Sequence, residues 1–102
     1  MKYINQTVEN LKRYKPKKVI LFGSYARGKP GRNSDIDLLI IKKTQQRYYK
    51  RIPEAGSYLH NIDRPFDILV LTPTEVKKRL RLGDFFIKEI LKKGKVLYEE
   101  KK

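Results

Sequence analysis

Cysteine is absent from this chain of 102 residues, histidine occurs once, and tryptophan does not occur. Without cysteine the chain cannot form disulfides, use a thiolate nucleophile or build a zinc–cysteine site. A single histidine argues against a histidine-based triad and excludes a multi-histidine metal site. No apolar run approaches the roughly 18–20 residues of a membrane span, and the N-terminus lacks the apolar stretch of a signal peptide. We therefore expect a soluble, cytoplasmic protein that makes no membrane contact.

Acidic residues are also scarce, because 25 Lys and Arg stand against 11 Asp and Glu, a formal net charge of +14. Basic residues are concentrated, with no acid among them, in residues 10–18, 42–51 and 77–81. Such a surface attracts polyanions, such as a nucleic acid, a nucleoside triphosphate or an acidic partner protein. A solvated lysine-rich surface without a ligand is the alternative, and charge alone does not decide between them.

The apolar pattern predicts one α/β domain over residues 1–102. Hydrophobic residues make up 39% of the chain, which is too many for a disordered protein. Strands are predicted at residues 18–22, 35–41, 66–71 and 96–98, and helices at residues 3–14, 75–82 and after Asp84. A polar helical stretch is predicted from Thr44 to about Asn61, with Pro53 and Gly56 breaking it. The expected fold class is α/β (α+β), a small, partly parallel sheet flanked by helices.

Three aspartates lie at the starts of strands whose other residues are apolar. Asp35 and Asp37 point the same way because side chains alternate along a strand, and Asp67 interrupts the third strand near its start. If these strands are neighbours, three carboxylates meet at one end of the sheet, where they repel each other and resist burial. A divalent cation relieves this repulsion, and donors that are all oxygen favour Mg²⁺, with Mn²⁺ as an alternative. An aspartate at a strand start is often only a turn residue, but two of these three interrupt apolar runs.

A candidate phosphate-binding turn follows the first strand. Gly23 permits close approach of the backbone to a bound group, and the N–H groups after it begin a helix whose positive end suits a phosphate. The Ser24 hydroxyl and the Arg27 guanidinium can donate to the same phosphate oxygens. A phosphate site beside a carboxylate cluster indicates a nucleoside triphosphate whose phosphates bridge protein and metal.

Such a site would hold two metal ions with different roles. One ties the triphosphate to Asp35 and Asp37, and the other, shared with Asp67, activates an acceptor hydroxyl for in-line attack on the α-phosphorus. The predicted reaction is nucleotidyl transfer with release of pyrophosphate.

The spacing of Gly23-Ser24, ten residues, then Asp35-Ile36-Asp37 resembles the GSx10DxD signature of minimal nucleotidyltransferases in the DNA polymerase β superfamily. Asp67 lies where that family places its third carboxylate, and the resemblance covers roughly residues 18–98. It implies a polymerase β-like core that uses ATP and magnesium. It also implies an antitoxin that forms a hetero-oligomer with an all-helical HEPN ribonuclease toxin and transfers AMP to tyrosines of that partner.

Three other functions stay open on the sequence. One is a non-catalytic antitoxin that neutralises its partner by binding alone. The chain is alternatively a transferase for a small molecule, or a protein that contacts RNA through its positive charge. Tyr48 and Tyr49 could stack on RNA bases, but we favour one of them packing on the sheet. For Phe85 and Phe86 we favour a place in the core or in a partner interface over a base platform.

Overall fold

The computed structural model describes residues 2–101, in which five helices and four strands follow one another. They are α1 (Lys2–Lys12), β1 (Lys18–Phe22), α2 (Gly23–Ala26), β2 (Ile36–Ile41), α3 (Tyr48–Ser57), β3 (Phe66–Leu71), α4 (Pro73–Arg81), α5 (Phe85–Lys93) and β4 (Lys95–Glu99). None of these helices is long and apolar enough to cross a lipid bilayer.

The strands form one mixed sheet in the order β3-β2-β1-β4. β2 and β3 run parallel and are joined by α3, whereas β1 is antiparallel to both β2 and β4. The two central strands are almost fully apolar because helices cover both of their faces. The predicted mixed α/β fold, with a partly parallel sheet, is confirmed.

Alternation along the strands divides the core into two layers. Leu38 and Ile40 of β2 face α1 and α3, whereas Leu39 and Ile41 face α4 and α5. Asp37 has the same parity as Leu39, so it belongs to the face that α4 and α5 cover. The site that this aspartate belongs to is therefore bounded by α5.

The helix after β2 differs from the sequence prediction. α3 covers residues 48–57 rather than 44–61, and both Pro53 and Gly56 lie inside it. The expectation that these two residues break the helix is wrong. Pro53 has no backbone N–H to donate to the carbonyl of Tyr49, four residues earlier. Tyr49 is exposed, so water can donate to that carbonyl instead. Burial of Ala55 against the sheet holds the helix together around this gap.

A buried arginine also escaped the sequence prediction, which counted it in an exposed basic run. Arg51 is only 5% exposed, and its guanidinium donates to both carboxylate oxygens of Glu75, at 2.7 and 3.1 Å. Its Nε donates to the Gln46 carbonyl at 3.0 Å, and Nη1 reaches the Val70 carbonyl at 3.3 Å. Glu75 also completes the capping box of α4 with Thr72. This pair ties α3, the end of β3 and the start of α4 together, and the hydrogen bonds from Arg51 lower the pKa of Glu75.

Replacing Arg51 by alanine tests the importance of this pair. We expect Arg51→Ala to lower the free energy of unfolding by about 2 kcal/mol, less than the roughly 3–5 kcal/mol of a fully buried pair, because Glu75 remains partly hydrated. Urea unfolding followed by circular dichroism measures it. Lys50→Ala, at an exposed neighbour on the same helix, should change the free energy by less than about 0.5 kcal/mol. Equal effects of the two substitutions would contradict this account.

Tyr14 lies in the segment between α1 and β1 and is buried, and its hydroxyl finds no hydrogen-bond partner within residues 2–101. Its ring packs against Tyr58, with 5.4 Å between centroids, and the Lys42 Nζ lies 4.4 Å from its centre. Burial, followed by the nearby negative charge of Glu54, raises the pKa of Tyr14 to about 12. The folded protein therefore holds this proton more tightly than the unfolded chain does.

A specific loss of stability at alkaline pH follows. The contribution of the protonated hydroxyl is complete below the ordinary tyrosine pKa of about 10 and is lost as the pH rises through about 12. We expect the melting temperature of Tyr14→Phe, which cannot ionise here, to fall less steeply between those pH values than that of the unaltered protein. Parallel declines in thermal scans would show that Tyr14 does not titrate in this way.

Candidate active site

The β2–β3 pairing places two of the predicted carboxylates side by side. Asp37 is opposite Asp67 in the parallel register and opposite Phe22 in the antiparallel register of β1. Neighbouring strands are about 4.8 Å apart, so the two aspartates lie next to each other on one face. Asp35 lies one residue before the start of β2. The expectation that these strands are neighbours is confirmed.

The three aspartates differ in their exposure to solvent. Asp37 is partly buried, whereas Asp35 and Asp67 are exposed. Burial raises the pKa of Asp37, and the negative charges of Asp67 and then Asp35 raise it further, against a smaller opposing effect of Arg27. Asp37 is therefore the carboxylate of this group that gains most from a bound cation.

Gly23 allows the Asp37 carboxylate to occupy its position. A Cβ built on Gly23 would overlap Asp37 Oδ2, and the backbone of Gly23 has φ of +76°. Residue 23 must therefore lack a side chain for two reasons: its backbone is left-handed, and the Asp37 carboxylate fills the volume of a Cβ. Strand β1 ends directly against the carboxylate, and the chain turns into α2 at that point.

The short helix α2 brings Ser24 and Arg27 to the same turn. Ser24 is partly buried in α2, and Arg27 follows as its exposed C-cap. The N–H of Arg27 donates to the Gly23 carbonyl at 3.2 Å, which joins the two ends of the turn. The helix expected to begin after Gly23 is therefore present, as a short helix over residues 23–26.

A groove of about 430 Å³ opens beside this turn and is closed on the other side by α5. Its lining within residues 2–101 includes Gly23, Arg27 and Asp37 but not Ser24, Asp35 or Asp67. The residues of this lining are Phe22, Gly23, Ala26, Arg27 and Asp37 on one side, and Phe86, Glu89, Ile90, Lys93 and Gly94 on the other.

The wall formed by α5 was missed in the sequence. Phe86, Glu89 and Lys93 share one helical stripe, but no sequence signal places that stripe beside Asp37. Phe86 is 55% exposed and packs edge-on against Phe22, with 5.7 Å between ring centroids. The carboxylate of Glu89 pairs with the Lys93 ammonium at 3.1 Å. The groove thus combines an aromatic edge with charges of both signs.

The donors at this site suit a hard metal ion. Within residues 2–101, no group of three or more carboxylates or imidazoles is close enough to hold a metal by itself. Mg²⁺, however, is commonly bound by one or two carboxylates together with substrate phosphates and water. Asp37 and Asp67 provide such a pair of oxygen ligands, and burial together with the neighbouring carboxylates raises the pKa of Asp37. The residues fit magnesium that arrives with a nucleotide.

Comparison with known sequences agrees with this geometry. The model of the family "Polymerase beta, Nucleotidyltransferase" matches residues 4–102. Two proteins of Methanocaldococcus jannaschii that bear the name protein adenylyltransferase are each 34% identical to this chain. One match extends over 93 residues, 88% of this chain and 87% of the relative. The other extends over 100 residues, 95% of this chain and 96% of the relative.

Solved structures share the fold. A mutant of the MntA-HpeT toxin-antitoxin has a TM-score of 0.66 at 23% identity, over 96% of this chain and 74% of that one. A toxin-antitoxin with AMP-PNP has a TM-score of 0.56 at 23% identity, with the same coverage. A nucleotidyltransferase from Sulfolobus solfataricus has a TM-score of 0.55 at 23% identity, over 98% of this chain and 89% of that one. With the family model matching nearly its whole length, the chain belongs to the polymerase beta nucleotidyltransferase family.

Proposed function

We propose that this chain transfers AMP from ATP to hydroxyl groups of a partner toxin of the HEPN type, and that it acts as the antitoxin of that protein. The observation that carries this proposal is the placement of Asp37 against Gly23 and opposite Asp67, at a groove that can admit a nucleotide. The two relatives named protein adenylyltransferase support AMP as the transferred group and protein as the acceptor. The complexes that share the fold are toxin-antitoxin pairs, one of them with AMP-PNP.

In the proposed mechanism the turn after β1 holds the triphosphate. The Asp37 carboxylate takes up the space beside Gly23, and the Ser24 hydroxyl, next in the turn, donates to a phosphate oxygen. The Arg27 guanidinium, exposed at the rim of the groove, donates two further hydrogen bonds and offsets negative charge. These contacts hold the α-phosphorus in line with an incoming hydroxyl.

The three aspartates form the acidic side of the proposed site. Asp35, Asp37 and Asp67 would hold Mg²⁺, two ions in the complete complex, with Mn²⁺ able to replace it. When bound, magnesium neutralises triphosphate charge and lowers the pKa of the acceptor hydroxyl. Asp67 is exposed, so a hydroxyl of a second protein can reach its carboxylate and give up its proton there. The acceptor oxygen bonds to the α-phosphorus as the bond to the departing pyrophosphate breaks.

The acceptor in this proposal comes from another chain, and residues 1–102 act as a single nucleotidyltransferase domain in the cytoplasm. The groove is open to solvent at Arg27 and Phe86, so a protruding segment of a partner can reach it. The net charge of +14 favours a partner that is acidic around its acceptor hydroxyl.

Transfer of label from ATP tests the proposal directly. We incubate the purified chain with ATP labelled in its α-phosphate, magnesium and the purified product of the adjacent gene, and follow label on that protein. Asp37→Asn should lower the transfer rate by at least about 100-fold, because this partly buried metal ligand loses its negative charge. The control is Asp63→Asn, the same chemical change at an exposed aspartate in a loop, which should leave the rate within about twofold.

The other outcomes separate the competing functions. If the partner carries no label and Asp37→Asn still neutralises it in a growth assay, the chain is an antitoxin that acts by contact and not an enzyme. Label found only in a small molecule would identify a small-molecule transferase. Either result would overturn transfer to a protein.

Gly23→Ala provides a second test, aimed at the packing. The added methyl group must displace the Asp37 carboxylate and also strains a backbone with positive φ. A displacement of about 1 Å at a reacting group costs on the order of 100-fold in rate, so we expect a loss of that size in the same assay. The matched control is Gly56→Ala inside α3, where a Cβ would meet no atom within 4 Å. Retention of full activity by Gly23→Ala would show that Asp37 does not need this space.

A further inference from the structure

The far end of the sheet carries a second surface, remote from the aspartates. Asp37 and Asp67 lie at the starts of β2 and β3, so the ends of these parallel strands, Ile41 and Leu71, lie at the opposite edge. The N–H of Lys42 donates to the Leu71 carbonyl at 2.9 Å, which holds the loop after β2 beside the loop after β3. The ends of parallel strands are a common position for ligands, and AMP transfer makes no use of this one.

Two basic runs that are separate in sequence join at this edge. Lys42 Nζ donates to the carbonyl of Tyr14 and lies 3.5 Å from the carbonyl of Lys15, so residues 12–18 and 42–51 form one surface. We call it the distal surface. A depression of about 570 Å³ runs through it and is lined by Lys17, Lys43, Thr44, Gln45, Thr72, Pro73 and Thr74.

Much of the positive charge on the distal surface has no acidic partner. Lys17 pairs with Glu100 at 3.1 Å and Lys18 with Glu99 at 3.5 Å, and Arg51 is bound to Glu75. Within residues 2–101, by contrast, no carboxylate forms an ion pair with Lys15, Lys43, Arg47 or Lys50. These four cations remain available to phosphate groups.

Two tyrosines stand among these cations, and both are exposed. The prediction that one of them packs on the sheet is wrong, since Tyr48 is 43% and Tyr49 68% exposed at the first turn of α3. The Arg51 guanidinium lies 5.5 Å from the centre of the Tyr48 ring, and Lys50 Nζ lies 6.0 Å from that of Tyr49. Exposed aromatic rings close to basic side chains are typical of proteins that bind single strands, where bases stack and phosphates pair with lysine or arginine. An acidic protein or a duplex would engage the cations but give the rings no stacking partner.

We propose that the distal surface binds single-stranded nucleic acid. The phosphates lie along Lys43, Arg47 and Lys50, and bases stack on Tyr48 and Tyr49. RNA and DNA single strands share this chemistry, and the experiment below distinguishes them. The surface contains no residue of the groove, so this binding does not depend on AMP transfer.

Fluorescence anisotropy with a labelled oligonucleotide of roughly 16 nucleotides measures the binding. Three probes are compared at several salt concentrations: single-stranded RNA, single-stranded DNA of the same sequence, and the RNA duplex. The double substitution Lys43→Glu/Arg47→Glu should weaken single-strand binding at least about tenfold and reduce the salt slope by about 0.7 per lost phosphate contact. The matched control Lys88→Glu/Lys92→Glu changes the net charge equally on exposed positions of α5 and should cost less than about twofold.

Tyr49→Ala isolates the stacking contribution. Its side chain is mostly exposed, so the melting temperature should stay within a few degrees, while affinity for the single strand falls about fivefold or more and affinity for the duplex does not change. The stronger binding of RNA or of DNA then identifies the natural ligand. Equal losses in the two charge-reversed pairs, or equal effects of Tyr49→Ala on single strand and duplex, would overturn the proposal. So would a distal surface that binds only the acidic partner protein.

The Asp37→Asn variant distinguishes nucleic-acid binding from the proposed AMP transfer. We expect its affinity for the single strand to equal that of the unaltered protein. Nucleic-acid binding without AMP transfer, or transfer without nucleic-acid binding, would therefore each be visible as a distinct result.

Discussion

The close contact between the Asp37 carboxylate and the backbone of Gly23 is the constraint on which the arrangement of this protein depends. The carboxylate occupies the volume that a side chain would take, so β1 must end at a residue without one. That residue has positive φ, which turns the chain directly into α2 and brings Ser24 and Arg27 to the same place. One steric requirement thus fixes the position of the Asp37 carboxylate, the end of β1 and the start of the turn that carries Ser24 and Arg27.

The sheet extends this constraint into a complete site. Asp37 lies on a strand that is paired on both sides, opposite Phe22 in one direction and Asp67 in the other. The apolar residues that follow it fix the register, because a shift by one position would expose the buried face of β2. A partly buried carboxylate beside another carboxylate is unfavourable. Favourable packing of the apolar residues along the same strands holds Asp37 in that position.

The sequence was informative where the cause of the structure is local. Apolar runs identified all four strands, and the interrupted runs at Asp37 and Asp67 pointed to the edge where the site lies. It was not informative where a contact joins distant segments. Nothing near Arg51 in the chain shows that its partner is Glu75, and without that partner its burial cannot be expected. The same applies to α5, whose stripe gives no indication of the strand end that it covers, and to Pro53, which tertiary packing accommodates inside α3.

The outermost position of β3 gives the two sides of the site unequal stiffness. Asp37 belongs to a central strand, whereas Asp67 belongs to a strand with a hydrogen-bonded neighbour on one side only. A strand with one hydrogen-bonded neighbour opens more readily than a central strand, so the Asp37 side of the proposed site is more rigid than the Asp67 side. In the proposed reaction, this division would accommodate acceptor hydroxyls that arrive at slightly different heights or angles, while the phosphorus under attack would stay in one place.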